Sequence, residues 1–273
     1  MQHFFGHPDS QLFGVYHPAR QSTKLRRGVV ICPPVGQEYI RSHWSLRLIA
    51  RQLARKGIAV FRFDYLGIGD SSGSFGDVES TEIWRQNLHQ AIERLKELAE
   101  LDSVMLLGHR LGGLFASEVA MQREDVHLLI LWEPTLEGQA YLRASRKLHQ
   151  KMLDLWVCKM KTANDEQYEE LLGFLWRRSL IQELEHRTFS LPTLDLPHLL
   201  ITDDQALLNS SSCVPGIRKS IHELRPSQWF DLSALETANL NPETTRIIVQ
   251  NADEMFGRIE KLQQRSGQSV VSI

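Results

Sequence analysis

Residues 103–113, SVMLLGHRLGG, constrain this chain more than any other stretch. The apolar run from Val104 to Leu107 has no polar interruption and ends on Gly108; a helix-forming segment, LFASEVAMQ, starts at Leu114. Strands of a parallel sheet read as continuous apolar runs, because helices cover both faces. Glycines around the turn let the backbone reverse sharply where a Cβ would clash. The stretch predicts a strand that turns abruptly into a helix, with Arg110 at the apex.

Strand and helix alternate through the rest of the first half. RGVVICPPVG reads as a buried strand running into a Pro-Pro-Val-Gly turn. SHWSLRLIARQLARKG follows as a helix, with Trp44, Leu48, Ile49 and Leu53 on one face and Gly57 at its C-terminal cap. IAVFRFDYLGIGDSSG is a strand leaving into a glycine-rich loop, and STEIWRQNLHQAIERLKELAEL is an amphipathic helix with Trp84, Leu88, Ile92, Leu95 and Ala99 in a stripe. VHLLILWEPTLEG is another buried strand. This alternation predicts the α/β class, a mostly parallel, doubly wound sheet. HFFGHPDSQLFGVYHP, ahead of it, reads as a hairpin around Pro8-Asp9-Ser10.

Between residues 139 and 190 the alternation stops. AYLRASRKLHQKMLDLWVCKM and EQYEELLGFLWRRSLIQELEH both read as helical, which predicts a helical cap insertion at 139–190 within a core of 1–138 and 191–273. Trp156 and Trp176 lie in that cap, where apolar side chains pack a cap onto its body or line a pocket beneath it. A strand LPHLLITDD, a helix around VPGIRKSIHEL, a strand SQWFDLS and a last helix ETTRIIVQNADEMFGRIEKLQQR complete the chain.

A net charge of -2 gives no electrostatic basis for nucleic-acid or anionic-membrane binding. Cys32, Cys158 and Cys213 are far apart and odd in number, which fits neither a disulfide framework nor a zinc site. The N-terminus shows no secretory pattern, and no segment approaches the roughly 18 apolar residues of a membrane span. The expectation is a cytoplasmic protein with no metal and no cofactor.

The order of these motifs resembles the α/β-hydrolase family over nearly the whole chain. Hairpin, Pro-Pro-Val-Gly loop, Asp-Tyr-x-Gly-x-Gly-x-Ser turn, a G-x-S-x-G-like elbow frame and a cap after the next strand occur in sequence. CPPVGQEYIRSH, RFDYLGIGDSSG and LWEPTLEGQAYL look like the branch of exosortase-associated or exopolysaccharide-locus hydrolases. The resemblance implies a nucleophile, an acid and a histidine in that chain order. At the nucleophile position stands Arg110, whose guanidinium stays protonated and attacks no carbonyl. The loop where the family carries its histidine, residues 233–243, reads SALETANLNPE and has none. His43 and His109 are the remaining histidines near the implied site, each more in keeping with a surface or supporting role. Glu133 and Asp203 are the candidate acids, while Asp204 reads as a solvated loop acid. Ser71 would need a histidine that the sequence does not identify, and Cys32 reads as a small core residue.

Two readings of Arg110 remain open. In one, the helix N-terminus, the N–H of Leu111 and the Val35-Gly36-Gln37 loop join Arg110, His109 and Glu133 in a pocket for a small anionic ligand. In the other, the guanidinium forms an internal ion pair, with Glu133 or Asp203 favoured over Glu38, and plugs a dead site. Some anion must meet it, since a buried guanidinium left unpaired is costly. The leading expectation is a hydrolase-like protein lacking the serine and histidine of the triad, a pseudoenzyme that binds an anionic small molecule, a protein partner or a second copy of itself. The alternative is an active ester or thioester hydrolase with a displaced nucleophile, or a non-hydrolytic enzyme that uses Arg110 to orient an anionic substrate.

Overall fold

The computed structural model describes residues 1–20, 26–155, 164–191, 196–204, 207, 229 and 242–269, with side chains up to 258. Strands β1 (Gln2–His7) and β2 (Ser10–His17) form the N-terminal hairpin. Then follow β3 (Gly28–Cys32), α1 (Gln37–Arg55), β4 (Ala59–Phe63), α2 (Thr81–Ala99), β5 (Val104–His109), α3 (Leu111–Met121) and β6 (Val126–Trp132). After an insertion come β9 (His198–Ile201) and α6 (Pro242–Ser269). The main sheet has seven strands in the order β1-β2-β4-β3-β5-β6-β9. β3, β4, β5, β6 and β9 are mutually parallel, and the hairpin joins antiparallel through β2 and β4.

The apolar strands β3 and β5 are buried along their whole length. Alternate residues feed two cores. Val30, Cys32 and Leu106 face α2, α3 and the insertion; Val29, Ile31, Met105 and Leu107 face α1 and α6. The α2 stripe is buried as the periodicity predicts, with Trp84, Leu88, Ile92 and Leu95 fully covered. The stripe on α1 is rotated. Its buried face runs through Ser42, Ser45, Leu46, Ile49 and Leu53, whereas Trp44 is 54% exposed with the Arg47 guanidinium 5.2 Å above its ring. An aromatic ring lidded by a cation is tolerated at the surface, so apolar spacing alone misplaced the face.

The insertion consists of α4 (Gly138–Leu155), a hairpin of β7 (Tyr168–Leu171) and β8 (Phe174–Arg177), and the short helix α5 (Arg178–Glu185). The helix expected over the first part of residues 166–186 is this hairpin. Leu172 and Gly173 both adopt positive φ (54° and 83°), the two-residue reversal that joins antiparallel strands and that helical spacing does not reveal. Phe174 and Trp176 on β8 pack edge-on against Phe75 at 5.1 and 4.8 Å, and Trp176 reaches Trp84 at 6.3 Å. Trp156, the expected helix at 214–224, the loop 233–241 and all of the expected strand 227–233 but Trp229 lie outside the described residues.

Candidate functional site

β5 delivers Arg110 to a turn with φ 52° and ψ −126°, a backbone region that residues with a side chain seldom occupy. The surrounding glycines are what permit it. A Cβ on Gly112 would lie 2.3 Å from the Pro33 carbonyl oxygen, and one on Gly108 would lie 2.6 Å from the Gly113 Cα. The turn is held by the Arg110 N–H on the Trp132 carbonyl (3.2 Å) and by its own carbonyl, which accepts from Gly113 and Thr135 (2.9 and 3.0 Å).

The guanidinium is buried and engaged on several sides. Its Nε and Nη2 donate to one oxygen of Glu38 at 3.0 and 2.8 Å, and Nη1 donates to the Glu133 carbonyl at 3.2 Å. Its plane lies 5.4 Å from the Trp229 ring centroid, within cation–π range. Burial opposes the charge, but the attraction and hydrogen bonds of Glu38 outweigh it and raise the Arg110 pKa. Among the described residues the carboxylate bonded to Arg110 therefore belongs to Glu38; the expectation favoured Glu133 or Asp203. Gly36, at φ 60° and ψ −138°, starts α1 so that Glu38 falls in its first turn. The Tyr39 hydroxyl then donates to Asp64 (2.7 Å), tying that turn to the loop after β4. Val35, Gly36 and Gln37 thus build the entry to the helix that carries Glu38.

Glu133 has a second task. It is buried at the end of β6 with φ 43°, and its carboxylate accepts the Trp229 indole N–H. Burial raises its pKa against the lowering pull of Trp229 and Arg110, with the charge of Asp203 adding to the rise. Asp203 lies two residues past the end of β9, half-buried, and the Asp204 carboxylate accepts the Leu207 N–H at 3.2 Å. Trp229, which the sequence did not single out, also receives the buried Arg41: that guanidinium lies 4.9 Å from its ring and donates to its carbonyl at 2.9 Å.

The candidate bases do not form a proton relay. His109 is fully buried, stacked on Trp132 at 3.7 Å, with Nδ1 3.0 Å from the Trp132 carbonyl. Burial pulls its pKa down to about 3, and Nε2 has no hydrogen-bonding partner among the described residues. His43 packs edge-on between Tyr39 (6.0 Å) and Trp44 (6.1 Å). The Ser71 hydroxyl donates to the Asp64 carbonyl at 2.6 Å and accepts the Phe13 N–H at 2.9 Å, so it is committed to the fold. Cys32 is buried and its thiol pKa is pushed up by desolvation, the opposite of a reactive thiol.

A cavity of about 460 Å³ opens beside Arg110, under α4. Tyr141, Leu136, Phe189 and Leu191 form much of its wall, with Thr135 and Asp204 supplying polar groups. Among the described residues no group of histidines, cysteines and carboxylates is placed to hold a metal ion, and no helix is long and apolar enough to cross a membrane.

The family model described as serine aminopeptidase, S33, matches residues 25–187, which takes in the elbow, Glu38 and most of the insertion. The chain belongs to this α/β-hydrolase family. In 1-acylglycerol-3-phosphate O-acyltransferase ABHD5 the chain matches the pig protein at 40% identity and the human protein at 38%, each over 76 residues. That is 28% of this chain and 22% of each relative, so the match spans about a fifth of their length. Two solved structures share the fold over nearly all of both chains. Est1E from Butyrivibrio proteoclasticus with bound ferulic acid has a TM-score of 0.64 at 16% identity, covering 94% of this chain and 99% of that one. Mouse alpha/beta hydrolase domain-containing protein 10 has a TM-score of 0.58 at 18% identity, covering 95% and 99%.

Proposed function

We propose that this chain is a pseudoenzyme of the α/β-hydrolase family, in which Arg110 stands in place of the elbow serine and the cavity beside it serves binding. One observation carries the reading: the side chain at the turn is a guanidinium already neutralised inside the protein by Glu38. Acyl transfer needs a nucleophile within hydrogen-bond reach of a base, and a protonated guanidinium offers neither attack nor proton acceptance. His109, its neighbour in sequence, is held by Trp132 and has its pKa drawn far down, which removes it as a base.

The internal ion pair also changes the ligand reading. An outside carboxylate or phosphate would have to displace Glu38 from Arg110, which disfavours an anionic ligand here. The apolar wall from Tyr141 to Leu191 favours a small molecule with an apolar body, its polar groups at Thr135 and Asp204. The resemblance of CPPVGQEYIRSH and LWEPTLEGQAYL to the exosortase-associated branch is what supports a binding role in exopolysaccharide or protein-sorting chemistry.

An alkyl-phosphonate serine probe tests the reading. The purified wild-type chain is expected to remain unlabelled, and Arg110→Ser is expected to show no ester hydrolysis, because among the described residues no histidine is placed to take a proton at residue 110. Stoichiometric labelling of the wild type, or robust turnover by Arg110→Ser, overturns it. Native mass spectrometry of the purified chain then asks whether a small molecule travels with it.

A further inference from the structure

Among the described residues the main sheet ends on β1, and no other described strand pairs with that edge. Met1 and Tyr16 exchange both backbone hydrogen bonds, at 2.7 and 2.8 Å. Antiparallel residue pairs alternate between bonded and non-bonded, so Gln2 with Val15 and Phe4 with Phe13 are non-bonded pairs. The N–H and C=O groups of Gln2 and Phe4 thus point away from β2, and no backbone bond from another described segment reaches them. Natural sheet edges are commonly blunted by charge or proline. The strand QHFFGH has no lysine, arginine, aspartate, glutamate or proline. Phe4 is 59% exposed and rests edge-on against Phe13 at 5.5 Å.

We propose that β1 is a homodimer interface, on which a second copy of this chain adds its own β1 antiparallel, with the two-fold axis at Phe4. The strand complements itself about that residue. Phe4 lies opposite its own copy and satisfies its outward N–H and C=O there. Gln2 lies opposite Gly6 of the second copy, where the absent side chain leaves room. Closed two-fold pairing of identical patches is the commonest way soluble chains associate. It would bury a row of four phenylalanine rings, Phe13 and Phe4 from each copy, and join two sheets into one. The charged residues of α2 beside the edge do not oppose it: Arg94 is paired with Glu97 at 2.9 Å and Glu93 with Arg123 at 2.5 Å. A groove of about 360 Å³ between them and β1, lined by Phe4, Phe5 and Gly6, gives the partner's side chains space.

Sedimentation equilibrium on the purified full chain tests the proposal. The wild type is expected to dimerise reversibly in the micromolar range, and Phe4→Lys to raise the dissociation constant about tenfold or more by setting like charges on the axis. Its circular dichroism and melting curve should stay close to wild type, since Phe4 is mostly solvent-facing. Phe4→Cys reads the register. Bonded antiparallel Cα atoms lie about 5.5 Å apart, within disulfide reach, so this variant should cross-link under mild oxidation well above the wild-type background. Gln2→Cys should stay at background, because its copies would sit on the order of 13 Å apart. Monomer for the wild type at about 100 µM, a dimer untouched by Phe4→Lys, or cross-linking of Gln2→Cys as fast as that of Phe4→Cys each overturns it.

Discussion

Replacing Glu38 by leucine should be among the most damaging single changes in this chain, and replacing Arg110 as well should undo most of the damage. The side chains of Arg110 and Glu38 keep only 10% and 9% of their exposure. Glu38→Leu removes the acceptor of two of the guanidinium's hydrogen bonds and the carboxylate charge in contact with it, while the Glu133 carbonyl, the charge of Glu133 and the Trp229 face stay in place. Removing one partner of a buried ion pair costs about 3–5 kcal/mol, while replacing both by apolar groups of similar volume is often neutral or better. The geometry argues for the upper part of that range for the single change and a small cost for the pair. Both donors converge on Oε1, while Oε2 is buried with no hydrogen-bond partner among the described residues, so the pair already carries a desolvation penalty that the double variant escapes. For a chain of this size about 3–5 kcal/mol lowers the melting temperature by roughly 6–20 °C. Urea unfolding of wild type, Glu38→Leu, Arg110→Met and Glu38→Leu/Arg110→Met forms a double-mutant cycle that isolates the coupling. A coupling energy near zero, or a double variant less stable than both singles, refutes the claim that this pair neutralises the elbow.

Three further outcomes follow from other contacts. Glu133 has its pKa raised in the fold, so its ionisation costs stability as pH climbs from the ordinary carboxylate range through the folded value. Glu133→Gln, which keeps a carbonyl for the Trp229 indole, should therefore be more stable than wild type above that window and equal to it below, as read by melting curves against pH. His109 behaves in the opposite sense. Its pKa falls from 6.5 to about 3 on folding, so its contribution is complete above pH 6.5 and lost as pH falls toward 3. In His109→Phe the slope of stability against pH should be shallower across that interval. Glu183 on α5 accepts the Thr81 N–H (2.9 Å) and hydroxyl (2.6 Å) at the start of α2. Glu183→Ala should cost about 0.5–2 kcal/mol, the range for losing a helix cap, and speed amide exchange at Thr81.

The sheet and its crossovers were legible because a parallel sheet imposes simple rules on sequence. Buried strands such as β3 and β5 need apolar runs, and α2 needs a stripe of period 3.6. The elbow was legible from its glycines, whose close approach to Pro33 and Gly113 no other residue tolerates. The partner of Arg110 was harder to read. Glu133 directly follows β6, the neighbour of the elbow strand, and Asp203 lies just past β9, one strand further, so strand order pointed to them. Glu38 arrives from the first turn of α1, 72 positions earlier, where the φ of Gly36 and the Tyr39–Asp64 bond help to aim it. Its one sequence signal was an acid in the first turn of the helix after Pro-Pro-Val-Gly. Trp229 gave less still, since a tryptophan in an apolar strand looks like ordinary core. The β7–β8 hairpin was misread because Leu172-Gly173 sits inside a segment rich in helix-forming residues, and tertiary packing on Phe75 and Trp84 overrode propensity there.

The insertion between β6 and β9 is not a removable module. Glu183 caps α2 from outside, and Arg187 joins it to Glu118 on α3, so two helices of the core finish their own hydrogen bonding and charge balance with side chains that arrive about 100 and 69 positions later. Excising the insertion to obtain a minimal core would strip the start of α2 and expose Trp84 at once. Engineering that treats the two parts as separable should yield an unfolded chain, whereas grafts confined to the outer surface of α4 leave the shared framework whole.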